Sequence, residues 1–376
     1  MTFIPRFSIS MHTSINLMKI QEATTLISRL PLPAHIMQEL KHESMVETVI
    51  YSTKIEGNLL DEKKKREAIR KASDSKDEQE VYNLWKAMEF LDECEKRRLP
   101  ITEDLIKKLH AIIDVILSGR RPKLSLYRTV QNKVGEKGTG RIVYLPSEPQ
   151  DVPTLMEDLV AWVNDPINAS IPAPIKAGIF LYQLLTIHPY MDGNGRTGRA
   201  LATYILRLAG YGLNGLFVLE KYYDRNLKGY YENLQMGLHH NYYFGRNDAD
   251  LTPWLDFFIS GLSEVFQEAA NIVEEKNAEF TKVEPKLLKA LDVYQRPVFA
   301  QLAFKFSYLT TTDLQKLTGF ADRTVRDKVK KWIEDGFIEP VDPNAQRIRA
   351  VQLTKKYQKL AEEVSKDPDS YKYLLV

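Results

Sequence analysis

The sequence lacks the features that mark secreted, disulfide-stabilised or membrane-spanning proteins. Its 376 residues contain a single cysteine, Cys94, which excludes an internal disulfide and is typical of a reducing cytoplasm. No amino-terminal segment has the layout of a signal peptide. The longest apolar run, 175–187, includes Lys176 and Gln183 and is too short to cross a bilayer. We therefore expect a cytoplasmic protein that has no membrane partner.

Strong charge imbalance and the common phosphate-binding loop are absent as well. The net charge is only +2, so any surface for nucleic acid has to be a local one. The pattern G-x-x-x-x-G-K-[ST] occurs nowhere in the chain, which excludes a P-loop ATPase by motif. A hydrophobic content of 44% and a charged content of 27% are ordinary for a globular protein, and the length predicts two to three domains.

The most informative stretch is a polar loop, 188–199, which lies between two segments that read as helices. Its sequence is HPYMDGNGRTGR. Pro189 lacks an N–H group and crowds the preceding turn, so it ends the first helix. The three glycines allow positive φ angles and a close approach of the backbone to a ligand. A second helix that begins near Thr197 would point its free N–H groups and its positive dipole end at an anion.

The charged side chains of this loop suit a nucleotide. Arg196 and Arg199 carry planar guanidinium groups that match the geometry of a phosphate. Asp192 is a hard oxygen ligand of the kind that holds a magnesium ion against phosphates. His188 is the one group here whose unperturbed pKa lies near neutrality, which fits a general base. A base, a metal carboxylate and a polyphosphate cradle together indicate nucleotide-dependent group transfer.

Two other interpretations of the loop remain open. Gly193, Gly195 and Gly198 satisfy G-x-G-x-x-G, and Glu220 follows at the distance expected of a dinucleotide fingerprint. That fingerprint needs a strand that runs directly into its first glycine, whereas five residues from His188 onward intervene here, so an NAD-dependent oxidoreductase is the third choice. The other interpretation is a plain glycine-rich connection between helices, which the combined set of residues disfavours.

The sequence HPYMDGNGRTGR resembles the signature of the Fic family, H-x-F-x-[D/E]-G-N-G-R-x-x-R, and departs from it only at Tyr190, where phenylalanine is usual. The resemblance implies a mainly α fold, with a Fic-type helical core and a β-hairpin flap. It also implies an enzyme that transfers AMP from Mg·ATP to a Ser, Thr or Tyr hydroxyl of a target protein or of itself. ATP and Mg²⁺ would be the cofactors, with His188 as the general base and Asp192 as the magnesium ligand. The ATP phosphates would be held by Gly193, Asn194, Gly195, Arg196, Thr197, Gly198 and Arg199.

A second segment, Ser52-x-x-x-Glu56-Gly57, ends a predicted helix. Gly57 is a natural residue after a helix end, but Glu56 opposes the helix dipole there, which by itself indicates only a solvated glutamate. The segment resembles the inhibitory motif [S/T]-x-x-x-E-[G/N] of Fic proteins. This resemblance implies that Glu56 pairs with Arg199 and obstructs the γ-phosphate site, and that Ser52 steadies the helix or the anion loop. In a Fic protein that removes AMP, Glu56 would instead position a water molecule, and the sequence leaves this alternative open.

Two β-rich segments, 126–130 and 141–145, are separated by glycines and predict a hairpin. The resemblance implies that this hairpin is a flap that holds the target segment by strand pairing. A purely structural hairpin is the alternative. The target-docking edge would be formed by Arg141, Ile142, Val143, Tyr144 and Leu145.

Aromatic and histidine side chains elsewhere have both a functional and a structural interpretation. Tyr230 and Tyr231 lie on a predicted helix where the resemblance implies an adenine pocket, and ordinary core packing is the alternative. His110 lies on another predicted helix, where we expect a packed structural histidine.

The carboxyl-terminal part of the chain reads as a separate module. Two helices joined by a turn, 310–317 and 322–335, precede two β-rich segments and resemble a winged helix. We therefore predict an amino-terminal helical region over 1–100, a catalytic core over 101–280 and a winged-helix domain over 281–376. DNA binding and protein docking are equally open for this domain, so a nucleotide-sensing transcriptional regulator is the rival function. A homodimer is a further expected partner arrangement. The basic residues that suit DNA phosphates are Arg323, Arg326, Lys328, Lys330, Lys331, Arg347 and Arg349.

Overall fold

The computed structural model describes residues 3–30, 32, 34–71, 75–115, 123–135, 142–283, 285–345 and 347–366. The described residues are mostly helical, which confirms the mainly α prediction. Two compact units are present: one combines Met1–Arg29 with Leu40–Asn271, and the other combines Leu30–Glu39 with Ile272–Val376. The predicted domain boundaries at residues 100 and 280 remain predictions, because the predicted domains were defined by function and the compact units are defined by packing.

The described elements before residue 284 are mainly α-helices, joined by turns, loops and short 3₁₀ or π segments, with a small antiparallel pair of strands, β1 and β2. The pair has an irregular register, in which Val134 faces Tyr144 and Gly135 faces Ile142. In chain order the elements are α1 (Met11–Arg29), α2 (Ala34–Ile55), α3 (Glu62–Ala68), α4 (Lys76–Lys96), α5 (Glu103–Ile113), β1 (Val134–Gly135), β2 (Ile142–Tyr144), α6 (Val152–Asn164), α7 (Ala173–Ile187), α8 (Asn194–Leu208), α9 (Leu219–Arg225), α10 (Leu227–Gln235) and α11 (Thr252–Val283).

Helix α7 is the centre of the first unit. Nearly all of its residues are buried, as expected for a helix that is apolar all round. Glycines let two neighbouring helices approach it closely. A Cβ atom added to Gly198 of α8 would lie 2.9 Å from the Leu181 side chain, and one added to Gly178 would lie 2.9 Å from Leu255 of α11. This close packing fixes the loop that joins α7 to α8.

Two sequence-based boundaries differ from the structure. Helix α8 begins at Asn194 rather than near Thr197, because Gly193 takes a left-handed conformation (φ 75°) and already ends the loop. Segment 126–130 is not a strand: its Arg128 donates hydrogen bonds to loop carbonyls, and the first strand of the pair is Val134–Gly135. None of the helices in the described part of the chain combines the length and the apolar character that a membrane span requires.

The second unit contains the predicted helix–turn–helix and strand pair. Its strands form a three-stranded antiparallel sheet in the order β3-β5-β4. Gly319 ends α14 in a left-handed conformation, and Val325, Val329 and Trp332 of α15 face the core. The elements are α12 (Lys286–Lys289), α13 (Gln295–Phe304), β3 (Leu309–Thr310), α14 (Thr311–Thr318), α15 (Asp322–Glu334), β4 (Ile338–Pro340), β5 (Ala350–Leu353) and α16 (Lys355–Ser365).

Candidate active site

His188 lies directly after the carboxyl end of α7, in a left-handed conformation with φ 54° and ψ 60°. Arg128 holds it there. The Arg128 Nε atom donates to the His188 carbonyl at 2.9 Å, and the Arg128 backbone N–H donates to the Pro189 carbonyl at 2.9 Å. A buried cation at a helix carboxyl end also interacts favourably with the helix dipole. Arg128 therefore positions His188, although no local sequence pattern identified it.

The hydrogen bonds of His188 define which ring nitrogen can act as a base. Nδ1 lies 3.3 Å from the Leu185 carbonyl, which can only accept, so Nδ1 carries the proton. Nε2 of the neutral ring is then free to accept a proton. Burial lowers the pKa of His188 to about 4, against the opposing effects of the Leu185 carbonyl and the Glu56 carboxylate. The imidazole is therefore neutral at neutral pH, as a general base must be.

The loop between His188 and α8 is braced by its own side chains and by α5. The Asn194 side chain accepts from the Tyr190 N–H at 3.0 Å and donates to the Tyr190 carbonyl at 2.8 Å. The His110 ring stacks on the Tyr190 ring at 3.6 Å, and its Nε2 donates to the Asp192 carbonyl at 2.9 Å. Ser125 Oγ, 2.7 Å away, bonds to His110 Nδ1. His110 is thus packed and fully hydrogen-bonded, and its contacts hold the loop.

Asp192 is the candidate magnesium ligand. Its side chain is 58% exposed, and its Oδ1 atom lies 3.1 Å from Arg196 Nη2 and accepts from the Gly193 N–H at 2.6 Å. Partial burial raises the pKa of Asp192, but the Arg196 charge and the Gly193 hydrogen bond outweigh it, so the pKa lies below its usual value. Within the described residues no hydrogen bond engages Oδ2.

The residues around Asp192 fit Mg²⁺ only together with a substrate. No group of three or more His, Cys, Asp or Glu side chains in the described part of the chain could hold a metal. Mg²⁺ is commonly bound by one or two carboxylates plus substrate phosphates, and it keeps several waters. One ionised, accessible carboxylate beside a phosphate site matches that arrangement.

Glu56 lies on the amino end of α8. Its Oε1 atom is 2.8 Å from Arg199 Nη2, and it would lie only 2.0 Å from a Cβ atom added to Gly195. Arg199 is buried and also donates to Ser52, from Nε to Oγ at 3.0 Å and from Nη2 to the carbonyl at 2.9 Å. Burial lowers the pKa of Arg199, but the Glu56 carboxylate outweighs it and holds the pKa above its usual value. The carboxylate therefore occupies the position that an anion would take at the α8 amino end.

A cavity of about 170 Å³ opens beside this ion pair. Pockets for small-molecule ligands usually measure about 300–1,000 Å³, so the cavity is small for a nucleotide while Glu56 stays in place. Tyr230 is buried and Tyr231 half exposed at its wall, and the Tyr231 hydroxyl donates to the Ile55 carbonyl at 3.2 Å. The lining residues are Glu56, Val134, Val143, Tyr144, Leu185, Thr186, His188, Gly195, Arg199, Tyr230, Tyr231, Leu234, Gln235 and Arg246.

Several residues of the predicted phosphate cradle do not line this cavity. Arg196 is buried between Asp192 and Glu80, with its Nη1 atom 3.7 Å from Glu80 Oε1. Thr197 is fully buried in α8, and Gly198 packs against α7. Thus Arg199 and Gly195 face the cavity, whereas Arg196, Thr197, Gly198 and the side chain of Asn194 support the loop and the helix that carry them.

The predicted docking edge is only partly available. Val143 and Tyr144 line the cavity, and the Tyr144 hydroxyl donates to the Thr186 carbonyl at 2.5 Å. The backbone of Leu145 is already paired: its N–H donates to the His240 carbonyl at 2.8 Å, and its carbonyl accepts from Tyr242 at 3.0 Å. Arg141 lies outside the described residues. An incoming strand could therefore pair along Ile142 and Val143 but not at Leu145.

Arg246 is a further residue of the site that no sequence pattern indicates. This residue ends a short π-helical segment, Tyr242–Arg246, that follows α10. Its guanidinium stacks over the Tyr144 ring at 4.3 Å, and its Nε donates to the His239 carbonyl at 3.0 Å. The cavity thus has a second arginine at its wall, in addition to Arg199.

Comparison with known proteins relates this site to one family. Residues 100–206 match the model of the Fic/DOC family. The chain is 26% identical over 281 residues to the protein adenylyltransferase Fic of Drosophila virilis, which covers 69% of this chain and 52% of that protein. It is 29% identical over 184 residues to that of Drosophila willistoni, covering 46% and 34% respectively. The chain therefore spans about half or less of the length of these curated relatives.

Solved structures have a similar fold. A Fic family protein from Desulfovibrio desulfuricans G20 superposes with a TM-score of 0.57 at 22% identity, covering 94% of this chain and 99% of that one. Fic-1 from C. elegans gives a TM-score of 0.54 at 22% identity, covering 70% and 74%. Because the matched region contains His188, the loop and the first part of α8, the chain carries a Fic domain of the Fic/DOC family.

Proposed function

We propose that this protein is a protein adenylyltransferase that transfers AMP from ATP to a hydroxyl group of a protein, and that Glu56 inhibits it. The observation that carries the proposal is the position of the Glu56 carboxylate, which pairs with Arg199 and covers Gly195 at the amino end of α8. A carboxylate and a phosphoryl group have similar charge and hydrogen-bonding geometry, so the same donors suit both.

The proposed reaction follows from the groups that surround the cavity. The outer phosphates of ATP would bind at Arg199 and the α8 amino end, which directs the α-phosphorus towards His188. The target hydroxyl oxygen attacks the α-phosphorus, the bond to the β-phosphate breaks, and pyrophosphate leaves. His188 Nε2 takes the hydroxyl proton. The hydrogen bonds of Arg128 to the loop keep the ring in reach of the attacking oxygen.

Magnesium and the remaining motif residues have supporting roles in this proposal. Mg²⁺ bound to Asp192 would neutralise charge on the phosphates as pyrophosphate leaves. Arg196 holds Asp192 in place through their 3.1 Å contact, so we assign it to the loop rather than to a phosphate. Tyr230 and Tyr231 supply an aromatic wall for the nucleoside.

The inhibition is competition for Arg199. A hydrogen bond to a charged group contributes about 1.5–3 kcal/mol, so the need to displace Glu56 would lower nucleotide affinity by roughly ten- to over a hundredfold. Ser52 supports the inhibited state because it binds the same guanidinium through its hydroxyl and its carbonyl. The alternative reaction, removal of AMP with Glu56 positioning a water, would lose activity when Glu56 is replaced.

The test is intact mass spectrometry of the Glu56→Gly protein after incubation with Mg·ATP. A mass gain of one AMP per modified hydroxyl is expected, and the unmodified chain should show much less. Glu62→Gln, which changes an exposed glutamate of α3, is the matched control and should behave like the unmodified chain. If Glu56→Gly gains no mass and modifies no added protein, the adenylyltransferase proposal fails. If it loses the ability to remove AMP, the hydrolytic alternative is favoured.

A second candidate function concerns the second unit alone. Arg323, Lys330 and Lys331 are exposed on α15, and Arg347 and Arg349 are exposed before β5, which together suit DNA phosphates. We propose a cytoplasmic setting for the whole protein, because it contains a single cysteine. We also propose double-stranded DNA as a secondary ligand of the second unit. Fluorescence anisotropy of a labelled duplex over a salt series tests the DNA proposal. Binding that is insensitive to Lys330→Glu with Lys331→Glu would exclude it.

A further inference from the structure

The segment 124–132, which contains Arg128, buries its polar residues and exposes its apolar ones. Arg128 and Asn132 are buried, whereas Leu126 and Val130 are 86% and 57% exposed. A segment that only packs against a core shows the reverse, because apolar side chains gain free energy when they leave water. The segment therefore carries an apolar surface that its own fold does not cover.

The buried polar side chains of this segment hold the loop that follows α7. Arg128 Nε donates to the His188 carbonyl at 2.9 Å, and Asn132 Nδ2 donates to the Tyr190 carbonyl at 3.0 Å. Because these side chains bind loop carbonyls, the residues between them are the ones left at the surface. The loop and the exposed side chains are thus fixed to each other.

Three exposed apolar side chains lie close to the start of the loop. Leu126 and Val130 are each two residues from Arg128, and two residues span at most about 7 Å. The Arg128 N–H donates to the carbonyl of Pro189, the second residue of the loop. Met191 belongs to the loop itself and is 58% exposed. We call Leu126, Val130 and Met191 the apolar rim.

The apolar rim adjoins the free part of the β2 edge. Gln131 donates from Nε2 to the Pro146 carbonyl at 3.0 Å. Pro146 lies three residues beyond Val143, where an incoming strand could pair. The proposed reaction brings a protein hydroxyl to His188 Nε2, so the residues on either side of that hydroxyl have to lie over the surface next to the loop. This step rests on the proposed function.

We propose that the apolar rim binds the target protein, and that the target has large apolar side chains within a few residues of the hydroxyl that receives AMP. Pairing with a strand edge uses main-chain groups and demands little of the target sequence. Burial of a leucine, valine or methionine side chain, by contrast, changes affinity by about tenfold or more. A stable interface between two copies buries about 800 Å² on each, which three side chains do not provide, so a short target segment is the better match.

The experiment measures AMP transfer from labelled ATP to synthetic peptides by the Glu56→Gly protein. Each peptide has one central serine, threonine or tyrosine, and each is made in two versions, with leucine or with glutamine on both sides of that residue. The leucine version should have a kcat/KM about tenfold or more above that of the glutamine version. The difference should lie in KM, because the rim contacts flanking residues rather than the reacting groups.

Leu126→Gln with Val130→Thr makes the rim polar at similar side-chain volume. Added to Glu56→Gly, it should raise KM for the leucine peptides about tenfold or more and change KM for the glutamine peptides less than about threefold. Ile167→Thr, which changes an exposed isoleucine in the turn before α7, is the matched control and should keep the preference for leucine. If the double change lowers the melting temperature, the single change Leu126→Gln provides the deciding ratio.

The outcomes separate the two proposals. If Glu56→Gly transfers AMP neither to itself nor to any peptide, the proposed function fails, and target binding by the rim fails with it. If the protein labels itself but labels no peptide, or shows no preference for leucine, only the role of the rim is overturned. A preference that survives Leu126→Gln with Val130→Thr also overturns it. Light scattering tests a second copy as the occupant: a rim variant that dissociates a larger assembly without changing the peptide preference assigns the rim to a contact between copies and overturns target binding.

Discussion

A buried histidine, His110, packs against the loop that joins α7 to α8, and a half-buried one, His188, begins that loop; their surroundings differ. His110 uses both ring nitrogens, one with Ser125 and one with the Asp192 carbonyl, and its ring is stacked on Tyr190. His188 has one nitrogen near a backbone carbonyl, and its ring lines the cavity. A histidine whose donors and acceptors are all satisfied holds structure, whereas one with a free nitrogen at a cavity can transfer protons.

The largest effect is expected from His188→Ala in the Glu56→Gly protein. Loss of a general base lowers the rate of AMP transfer by about 10²- to 10⁴-fold. Nucleotide affinity should change little, because the imidazole contacts the attacking group rather than the phosphates. Radiolabelled AMP transfer and calorimetry measure the two quantities. AMP transfer at the parent rate would remove His188 from the mechanism.

His110→Ala should act on stability. The change leaves the Asp192 carbonyl and Ser125 without a partner in a buried region, which costs about 2–3 kcal/mol in the free energy of unfolding. Denaturant unfolding measures this change. Lys108→Ala, at an exposed position on the same helix, should stay within about 0.5 kcal/mol. An unchanged unfolding free energy in His110→Ala would contradict the structural role.

The pH dependence provides a second distinction. NMR titration should give a His188 midpoint near pH 4, because burial lowers its pKa from 6.5 to about 4. Between these values the unfolded chain binds more protons than the folded one, so His188 makes stability rise as pH increases from about 4 to 6.5. Burial also lowers the pKa of His110, which acts in the same direction. His188→Ala should flatten part of this dependence. A midpoint near 6.5 would mean that the ring is exposed to solvent.

The smallest effect is expected from Tyr190→Phe. The Tyr190 hydroxyl is buried and has no hydrogen-bond partner within the described residues. Its removal should leave the free energy of unfolding unchanged or raise it by about 1 kcal/mol, while the stack on His110 is kept. Thermal unfolding measures the difference, and Tyr223→Phe serves as a comparison, since Tyr223 is another buried tyrosine whose hydroxyl has no partner among the described residues. A marked loss of stability would indicate that the hydroxyl does have a partner.

The sequence could predict those parts of the fold and site that depend on neighbouring residues. His188, Asp192 and Arg199 lie within twelve positions, so the composition of that one segment reveals their chemistry. The mainly α fold follows from periodicity. Ser52 and Glu56 are far from Arg199 in the chain, and only the resemblance to the Fic family connected them; the structure brings these side chains together.

Other features depend on contacts between distant residues that leave no local pattern. Arg128 lies in a segment rich in β-forming residues, yet its hydrogen bonds to the end of α7 keep that segment out of a sheet. Arg246 follows an irregular stretch, and its position at the cavity depends on the stack with Tyr144. Arg196 looked equivalent to Arg199, but Glu80 of α4 and Asp192 engage it.

The contact between Glu56 and Gly195 has a consequence for regulation. The Glu56 carboxylate fills the space above that glycine, since even a methyl group there would overlap with it. If Glu56 inhibits the protein as proposed, inhibition would follow mass action. A nucleoside triphosphate would compete with the side chain for this space, so its concentration alone would set the inhibited fraction without an activator.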